Sequence, residues 1–541
     1  MHRPRWLLAA LLLAAASSAQ PSWTGPARAA GITIGLAAAP SSADPHFHQV
    51  GPNNALARHL FGTLITSDAG LRLHPGLAES WSLDGDRDWT FHLRKGVTFH
   101  DGSPFTARDV AFSLCRARAG VGPTRSFTAL PKAIESLRII DDHTIALRSF
   151  RPEPGLPALV AGFNIVSAAS AGVSEVTYGA AENCGLAHLP ASNEFDGGRM
   201  ANGTGPYRLA RYTSGDTIVL ERFARFVGPA AHWDRVTLKA VSKTGPRVAG
   251  LLSGDFDLIE NPSAQDLPVL KAKGGFAWTV TPSDRIMFLQ PDIGRAISPL
   301  AAAKDGRNPL QDFRVRAAIS LSIDRKAIAS RLFDGLAVPA DQYLPPGMAG
   351  EITDPPPRPY DPQRARALLA EAGYPGGFAL TLSASNDRYI NDAAVAQALG
   401  QYLTRAGLRV TVDALTQTMF FPRRTKREFS LSLGGWGNGT TEASLLRTFI
   451  VSPDLARGIG GSNYGAYAGK AFDAAFLPAL EDMDDTHRAG RVQAATRVAL
   501  EDNALIPLYW ETTVWAYKDR FRYVGRIDQA TDADGLSPKE P

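Results

Sequence analysis

Apolar and polar positions between residues 378 and 433 predict alternating strands and helices. The segments FALTLSAS (378–385), LRVTVDAL (408–415) and EFSLSL (428–433) alternate as β-strands do. Between the first two, NDAAVAQALGQYLTRAG (391–407) places apolar side chains at helical spacing and ends at a glycine. A strand, a helix and a second strand in this order predict a right-handed crossover and therefore a parallel sheet.

The loops that follow these strands are the predicted ligand-binding region, because ligands bind beyond the carboxyl ends of the strands in open parallel sheets. They are SNDRY (385–389), GGWGNGTTE (434–442) and, after a predicted strand at 31–39, PSSADPHFHQ (40–49). Trp436 stands among glycines, where an indole has few neighbours to pack against and suits a ligand platform. The alternative is a core tryptophan beside glycines that serve only as turn formers.

Two further helices have recognisable ends in the sequence. Thr106 and Asp109 have the spacing of a capping box at the start of one helix. Asp361 precedes Pro362 at the start of another, where proline is tolerated, and Gly373 ends it.

The N-terminal residues predict a secretory signal peptide. Arg3 and Arg5 precede the apolar run at 7–16, which is too short to span a bilayer. The pattern ARA (27–29) allows cleavage directly after it, and a cut after Ala19 is the alternative. This region has no cysteine to carry a lipid, so we expect a free periplasmic protein.

The charge of the chain gives no sign of a nucleic-acid or membrane partner. The whole sequence has 57 Lys and Arg against 53 Asp and Glu, a net charge of +4. Three arginines lie in the leader, which has no acids, so the mature chain has 54 basic against 53 acidic residues. A nearly neutral protein has no electrostatic footprint for nucleic acid or for an anionic membrane.

Motifs for catalysis and for metal binding are weak. Gly434 and Gly439 have P-loop spacing, but the lysine that a P-loop needs is missing. The sequence has no G-x-S-x-G and no H-E-x-x-H. His46 and His48 could begin a metal site, but further ligands are not evident nearby. We therefore predict no catalytic residue, no metal site and no cofactor.

The two cysteines of the chain, Cys115 and Cys184, can form a disulfide in an oxidising compartment. Two separate buried thiols are the alternative. The length of the mature chain exceeds what one core serves, so two or three domains are expected.

Eight segments, in order along nearly the whole mature chain, resemble one family: the extracytoplasmic solute-binding proteins (family 5) that serve peptide, opine and nickel ABC importers. They are ADPH (43–46), LHPGLAESW (73–81), WTFHLRKGVTFHDGSPFTARDVAFSL (89–114), GTGPYRL (203–209), the segment from WDRVTLK to DFDLI (233–259), PLQDFRVRAAISLSIDRKAI (309–328), YDPQRARALLAEAGYP (360–375) and IPLYW (506–510).

The resemblance implies an α/β fold of two lobes that close on a ligand, with an extra subdomain beside lobe I. The implied division is a signal peptide at 1–29, lobe I at 30–72, 202–283 and 500–541, the extra subdomain at 73–201 and lobe II at 284–499.

Departures from the family concern the ligand. Where its peptide binders carry an aspartate that holds the peptide ammonium, this chain has Gly439, and where its oligopeptide type has an arginine, this chain has Leu433. An ordinary free-amino peptide is therefore not the expected ligand unless Asn438 or Glu442 replaces the aspartate. Arg388 can pair with a ligand carboxylate through two hydrogen bonds.

The predicted ligand contacts come from both lobes. They are Trp436, Asn438, Arg388, Tyr389 and Asn386 from lobe II, Gln49 and Asn261 from lobe I, and Trp510.

The predicted function follows from these residues and from the resemblance. We expect a monomeric periplasmic binding component that captures a small organic solute, which is peptide-like, opine-like or an amino-acid conjugate, and delivers it to the ABC permease complex in the inner membrane without chemistry. A solute sensor or a chaperone with the same clamp, or a secreted hydrolase, is the alternative.

Overall fold

The computed structural model describes residues 31–121, 127, 129–179, 181–303, 306–345, 348, 350–437, 439, 443–454 and 456–539. The predicted signal peptide, Asn438 and Glu442 lie outside these residues. Among the described residues, no helix is both long enough and apolar enough to cross a membrane.

The described strands fall into one large sheet and three small ones. In chain order they are β1 (Gly31–Leu36), β2 (Ile65–Ser67), β3 (Leu73–Pro75), β4 (Ala78–Asp84), β5 (Asp88–Leu93), β6 (Ile134–Asp141), β7 (Thr144–Ser149), β8 (Tyr207–Tyr212), β9 (Thr217–Arg222), β10 (Arg235–Ala240), β11 (Leu258–Glu260), β12 (Phe276–Pro291), β13 (Ala301–Ala302), β14 (Val338–Pro339), β15 (Ala379–Ser385), β16 (Arg409–Leu415), β17 (Leu431–Gly437), β18 (Ile506–Lys518), β19 (Phe521–Tyr523) and β20 (Leu536–Pro538).

The described α-helices are, in chain order, α1 (Gly51–Leu60), α2 (Ala107–Arg118), α3 (Ala129–Ala133), α4 (Leu156–Ala161), α5 (Ser192–Asp196), α6 (Thr244–Ser253), α7 (Asp266–Lys273), α8 (Phe313–Leu321), α9 (Arg325–Leu332), α10 (Pro362–Glu371), α11 (Asp392–Arg405), α12 (Gln417–Thr425), α13 (Lys470–Phe476) and α14 (Asp485–Glu501). Short 3-10 turns at Pro309–Gln311, Leu477–Leu480 and Ala533–Gly535 and one π-helical turn at Leu446–Ile450 accompany them.

The large sheet runs through the whole molecule in the order β13-β15-β17-β12-β18-β11-β1-β10-β9-β8, with β16 beside β15 and β14 beside β18. Its centre is the antiparallel pair of the two longest strands, β12 and β18. The small sheets are β4-β5-β7-β6, β2-β3 and β19-β20.

Hydrophobic cores lie in three parts of this framework. The first-lobe core packs β1, β9 and β10 against residues such as Trp515, and the subdomain core packs β5 and β7 against α2. The second-lobe cores lie on the two faces of β12 and β17 and include Tyr509 and Trp510. We call these parts the first lobe, the subdomain and the second lobe.

The two long strands therefore cross from one lobe to the other. On β18, Tyr509 packs in the second lobe, whereas Trp515 packs in the first. The chain thus leaves the second lobe later than the predicted boundary at residue 500. Val166 and Phe195 also pack in the first-lobe core, before the predicted end of the subdomain at residue 201.

The predicted strand–helix–strand unit is present. Strand β15 runs parallel to β16, with Leu382 opposite Val412, and α11 connects them. Strand β17 runs parallel to β15 on its other side. Both predicted caps are also present: Asp109 accepts the backbone N–H of Thr106, and Asp361 accepts that of Arg364.

One part of the predicted loop at 434–442 is strand instead. Strand β17 continues through Gly437 and pairs with β12 along its whole length. A Cβ on Gly435 would lie 2.4 Å from the Met287 sulfur, and one on Gly434 would lie 3.1 Å from the Phe288 ring. The glycines are therefore required by close packing against β12, which the local pattern of turn-forming residues does not reveal.

The two cysteines form a disulfide between Cys115 of α2 and Cys184. Cys115 is fully buried in the subdomain core, and Cys184 packs against that core. The bridge closes a sequence separation of 69 residues and ties α2 to the segment that leads back to the first lobe.

Candidate ligand-binding site

The loop between β15 and α11 carries two predicted contacts, Arg388 and Tyr389, in a fixed conformation. The Asp392 carboxylate accepts the backbone N–H of Arg388 at 3.0 Å and that of Tyr389 at 3.1 Å. It also accepts the Ser385 hydroxyl at 2.8 Å. The Tyr389 hydroxyl donates to the carbonyl oxygen of Gly435 at 3.2 Å. The loop is thus anchored both to its own helix and to β17.

The guanidinium of Arg388 makes no hydrogen bond and no ion pair within the described part of the chain. It lies over the Tyr389 ring, 5.0 Å from the centroid. Burial, and next the positive charge of Arg285, lower the pKa of Arg388 below its ordinary value. A guanidinium that is desolvated beside a second cation is poised to bind an anion, because an anion would offset both costs.

Arg285 enters the same region from β12, where the chain crosses between the lobes. Its guanidinium carbon lies 6.0 Å from the Tyr389 centroid. Unlike Arg388, it has partners: its Nε donates to Gln529 Oε1 at 2.6 Å and lies 3.4 Å from Glu511 Oε2. Glu511 is 3 % exposed, so this is a largely buried ion pair. We call the region around Arg388, Tyr389 and Arg285 the cleft.

The sequence does not predict Arg285, Glu511 and Gln529 as parts of the site. The one usable signal is Glu511, a single acid inside the otherwise uncharged stretch from Ile506 to Tyr517. An acid in a buried strand needs a partner, but the sequence does not indicate which residue supplies it.

The predicted N-terminal loop reaches the cleft from the first lobe. Burial, and next the charge of Arg388, lower the pKa of His48, which places this imidazole within electrostatic reach of the second-lobe loop. Gln49 follows it and is exposed. Of these two residues, His48 is the one whose pKa responds to the charge of Arg388.

His46 does not belong to the cleft. Its Nε2 is 2.9 Å from the carbonyl oxygen of Asn164, its Nδ1 is 3.1 Å from Arg116, and its ring stacks on Phe163. Burial, as the largest cause, lowers its pKa to about 4, so it is a neutral core residue. Among the described residues, no cluster of three His, Cys, Asp or Glu side chains could hold a metal ion.

Trp436 and Trp510 lie together, but on the face of the sheet opposite to Tyr389. Ile286 stands between them, paired with Trp436 on β17 and with Trp510 on β18. All three belong to the same second-lobe core. Sheet residues that alternate along β17 point to opposite faces, so Trp436 points away from the side on which Tyr389 meets Gly435.

The expectation that the Trp436 indole has few neighbours is wrong. Its ring packs edge-on against Phe449, with 5.2 Å between centroids, and its Nε1 donates to the Ser444 hydroxyl at 2.9 Å. The residue is nevertheless only partly buried. The other indole, Trp510, is 5 % exposed, and its Nε1 has no hydrogen-bond partner among the described residues.

The two predicted asparagines differ in their surroundings. Asn386 is exposed, and its amide donates to the carbonyl oxygen of Ala414 on the neighbouring strand. Asn261 has a left-handed backbone with φ of 44°, and its backbone N–H donates to Val514 on β18. Its buried Oδ1 has no hydrogen-bond partner among the described residues.

The carboxylate of Asp284, on β12, lies beside Gly437 and Gly439. Its Oδ2 accepts the backbone N–H of Gly439, and a Cβ on Gly437 would lie 3.1 Å from its Oδ1. Burial, as the largest cause, raises the pKa of Asp284 to about 6. Leu433, by contrast, is fully buried in the second-lobe core.

A separate open groove of about 830 Å³ lies on the second lobe. Its lining includes Phe313, Arg314 and Tyr467, and none of the predicted contacts. Arg316 in its lining is paired with Asp502. It therefore differs from Arg388, which has no acid partner among the described residues.

Comparisons with known proteins agree with this architecture. The sequence model described as "Bacterial extracellular solute-binding proteins, family 5 Middle" matches residues 72–454. The dipeptide-binding protein of Escherichia coli (strain K12) is 25 % identical over 462 residues, which are 82 % of this chain and 81 % of that protein. The glutathione-binding protein GsiB of the same strain is 28 % identical over 486 residues, 88 % of each chain.

The fold agrees with a solved structure of similar size. The periplasmic binding protein DppA from Helicobacter pylori, in complex with the peptide STSA, superposes with a TM-score of 0.79 at 20 % sequence identity. The match covers 95 % of this chain and 99 % of that one. The two-lobed periplasmic binding fold is therefore shared over nearly the whole chain.

Proposed function

Because the chain belongs to the bacterial extracellular solute-binding proteins of family 5, the substrate-capturing components of ABC importers, we propose that it binds a small organic solute through a carboxylate held by Arg388. The observation that carries this proposal is the guanidinium of Arg388, which lies in the cleft without a hydrogen bond or ion pair among the described residues. The backbone of its loop is held by Asp392, so the position from which the side chain extends is set.

The binding step follows from the electrostatics of the cleft. A ligand carboxylate that forms two hydrogen bonds with Arg388 replaces lost hydration and reduces its repulsion from Arg285. His48, which the charge of Arg388 reaches, and the neighbouring Gln49 are the proposed contacts from the first lobe. The closed form is favoured by the difference in ligand affinity between closed and open states.

The remainder of the ligand differs from that of a typical free-amino peptide. Leu433 is buried in the core and offers no charge to a ligand. Position 439 has no carboxylate of its own, and its backbone N–H donates to the carboxylate of Asp284 on the crossing strand. Small peptide-like, opine-like and amino-acid conjugate solutes, each with a carboxylate, are the proposed substrate class. The proposed further contacts are Tyr389, Asn386, Asn438 and Asn261. Trp436 and Trp510 pack on the other face of the sheet and are not proposed as contacts of the same ligand.

The proposed location is the periplasm, after removal of residues 1–29. N-terminal sequencing of protein recovered from the periplasmic fraction tests both parts. A mature chain that begins at residue 30 supports them, whereas a retained leader in the membrane fraction contradicts them.

Thermal unfolding tests the proposed function. Protein freed of any co-purified ligand is heated in the presence of Met-Leu, glutathione, octopine or acetate, and its unfolding temperature is measured. A solute that binds at a hundred times its Kd adds about 2.7 kcal/mol of stability. The shift should disappear in Arg388→Ala and persist in Arg211→Ala, which changes an exposed arginine of the first lobe. A shift that survives Arg388→Ala contradicts the carboxylate site, and chemical change of the recovered solute would indicate an enzyme instead.

A further inference from the structure

The buried carboxylate of Glu511 is held by three segments that are distant in sequence. Its Oε1 lies 3.3 Å from the backbone N–H of Ile390, and its Oε2 accepts the Gln529 amide at 2.9 Å. The same Oε2 lies 3.4 Å from Arg285 Nε. A loop of the second lobe, the C-terminal segment and the strand β12 therefore all meet at one side chain.

The C-terminal segment reaches Glu511 in a strained conformation. Gln529 has φ of 64°, a left-handed conformation that is uncommon for a residue with a side chain. Its amide is used at both ends, because Oε1 accepts Arg285 Nε while Nε2 donates to Glu511. Such a conformation persists where surrounding contacts determine it, and here they include the two side-chain hydrogen bonds to the ion pair and the backbone hydrogen bond to Arg526.

The positions of the two arginines show what the ion pair does to the cleft. Arg285 and Arg388 both lie against the ring of Tyr389. Glu511 neutralises Arg285, whereas Arg388 has no acid partner among the described residues. The cleft beside Tyr389 therefore presents two guanidinium groups but only one uncompensated positive charge.

We propose that Glu511 is a positioning and charge-selecting residue: by pairing with Arg285 and holding the backbone of Ile390, it restricts this end of the cleft to a single carboxylate on Arg388. This inference rests on the proposed carboxylate site. Without the charge of Glu511, the same two arginines would favour a dianion, because each would be free to pair with one negative group.

Two substitutions separate the effect of the negative charge of Glu511 from the effect of its side-chain length. Glu511→Gln keeps the length of the side chain and an acceptor for Ile390 but removes the negative charge. Glu511→Asp keeps the charge but is one methylene shorter, so it loses the contact with Ile390. Glu79→Gln, at an exposed position in β4, is the matched control.

The experiment measures binding of acetate and of malonate by intrinsic tryptophan fluorescence at neutral pH and constant ionic strength. In Glu511→Gln, the affinity for malonate relative to acetate should rise about tenfold. In Glu511→Asp, both affinities should fall by a similar factor with their ratio unchanged. Glu79→Gln should match the unaltered protein in both respects.

The outcomes distinguish this inference from the proposed function. If Arg388→Ala abolishes binding of both anions while Glu511→Gln leaves their ratio unchanged, Glu511 does not select charge and the carboxylate site stands. If Arg388→Ala changes neither affinity, or if neither anion binds the unaltered protein, the carboxylate site is wrong and the inference falls with it.

A variant on the other side of the ion pair covers the case in which Glu511→Gln does not fold. Arg285→Gln removes the cation and leaves the charge of Glu511 without its ion-pair partner. It should lower the affinity for malonate relative to acetate, which is opposite in direction to Glu511→Gln. An unchanged or raised ratio in Arg285→Gln would overturn the inference.

Discussion

Glu153 of the subdomain and Arg447 of the second lobe form a two-point ion pair across the molecule. Arg447 Nη1 lies 2.9 Å from Glu153 Oε1, and its Nη2 lies 3.1 Å from Oε2. The side chains are 13 % and 19 % exposed. Arg447 belongs to the π-helical turn whose Phe449 packs against Trp436, so the pair links the subdomain to the region beside β17.

We expect this pair to stabilise the closed form of the protein, because it joins the subdomain to the second lobe. We expect Glu153→Gln to weaken acetate binding by about 1 kcal/mol, a roughly fivefold rise in Kd. The radius of gyration with ligand, from small-angle X-ray scattering, should increase as well.

A nearby ion pair provides the control for that prediction. Arg151 and Glu481 pair at 3.3 Å with side chains 59 % and 33 % exposed, and an exposed pair contributes little. Arg151→Gln should therefore change Kd much less than Glu153→Gln. Equal effects of the two variants would show that the Glu153–Arg447 pair has no special part in closure.

Gly435→Ala should displace Tyr389 and with it Arg388. The added Cβ would lie 2.4 Å from the Met287 sulfur and 2.9 Å from Tyr389 Cε1. Overpacking of this size costs about 1–3 kcal/mol of unfolding free energy, and the acetate affinity should fall because the arginine is no longer held in place. Urea unfolding and fluorescence titration measure the two effects.

The matched substitution is Gly490→Ala, in α14, where a Cβ would meet no atom within 4 Å. Alanine is favoured over glycine inside a helix by roughly 0.5–1 kcal/mol, so this variant should be slightly more stable, with unaltered acetate binding. A Gly435→Ala protein that binds acetate normally would show that the packing of β17 does not position Arg388.

Trp436→Ala should destabilise the ligand-free protein. Because the indole packs on Phe449 and is only partly exposed, we expect a loss of about 2–3 kcal/mol in unfolding free energy. Ser444→Ala, which removes only the acceptor of the indole N–H, should cost about 1 kcal/mol. Unchanged stability of the Trp436→Ala protein would instead indicate an indole that stands free in a pocket.

The regular elements around the site could be predicted because their signals are local. The alternation that predicts β15 and β16 lies within each strand, and the helical spacing that predicts α11 lies within that helix. The parallel arrangement follows from the order strand, helix, strand. Arg388 and Tyr389 could therefore be placed at the end of β15 from sequence alone.

The rest of the site depends on pairings that no local pattern contains. Arg285 and Gln529 meet across 244 residues of sequence, and Glu511 joins them through β18. Because glycine favours turns, the sequence predicts a loop at the glycines of β17, whereas their pairing with β12 decides their conformation. Glycine neighbours leave the Trp436 indole without local packing partners in the sequence, whereas Phe449 and Ser444 come to it only through the fold.

Asp284 should make the stability of the protein depend on pH in a predictable direction. Its folded-state pKa is raised from 3.8 to about 6, chiefly by burial. Folded protein therefore binds more protons than unfolded protein between these values, so the stability falls as pH rises from about 4 to 6. Above pH 6 the ionised, buried carboxylate has its full cost of about 2–3 kcal/mol.

Asp284→Asn removes that charge but keeps an acceptor for the Gly439 N–H. The variant should be about 2–3 kcal/mol more stable than the unaltered protein at pH 7.5, and by less than half as much at pH 4.5. Urea unfolding at the two pH values measures the difference, with Asp255→Asn, on the exposed turn after α6, as the control. A variant with no gain at pH 7.5 would mean that the hydrogen bonds to the carboxylate offset its burial completely.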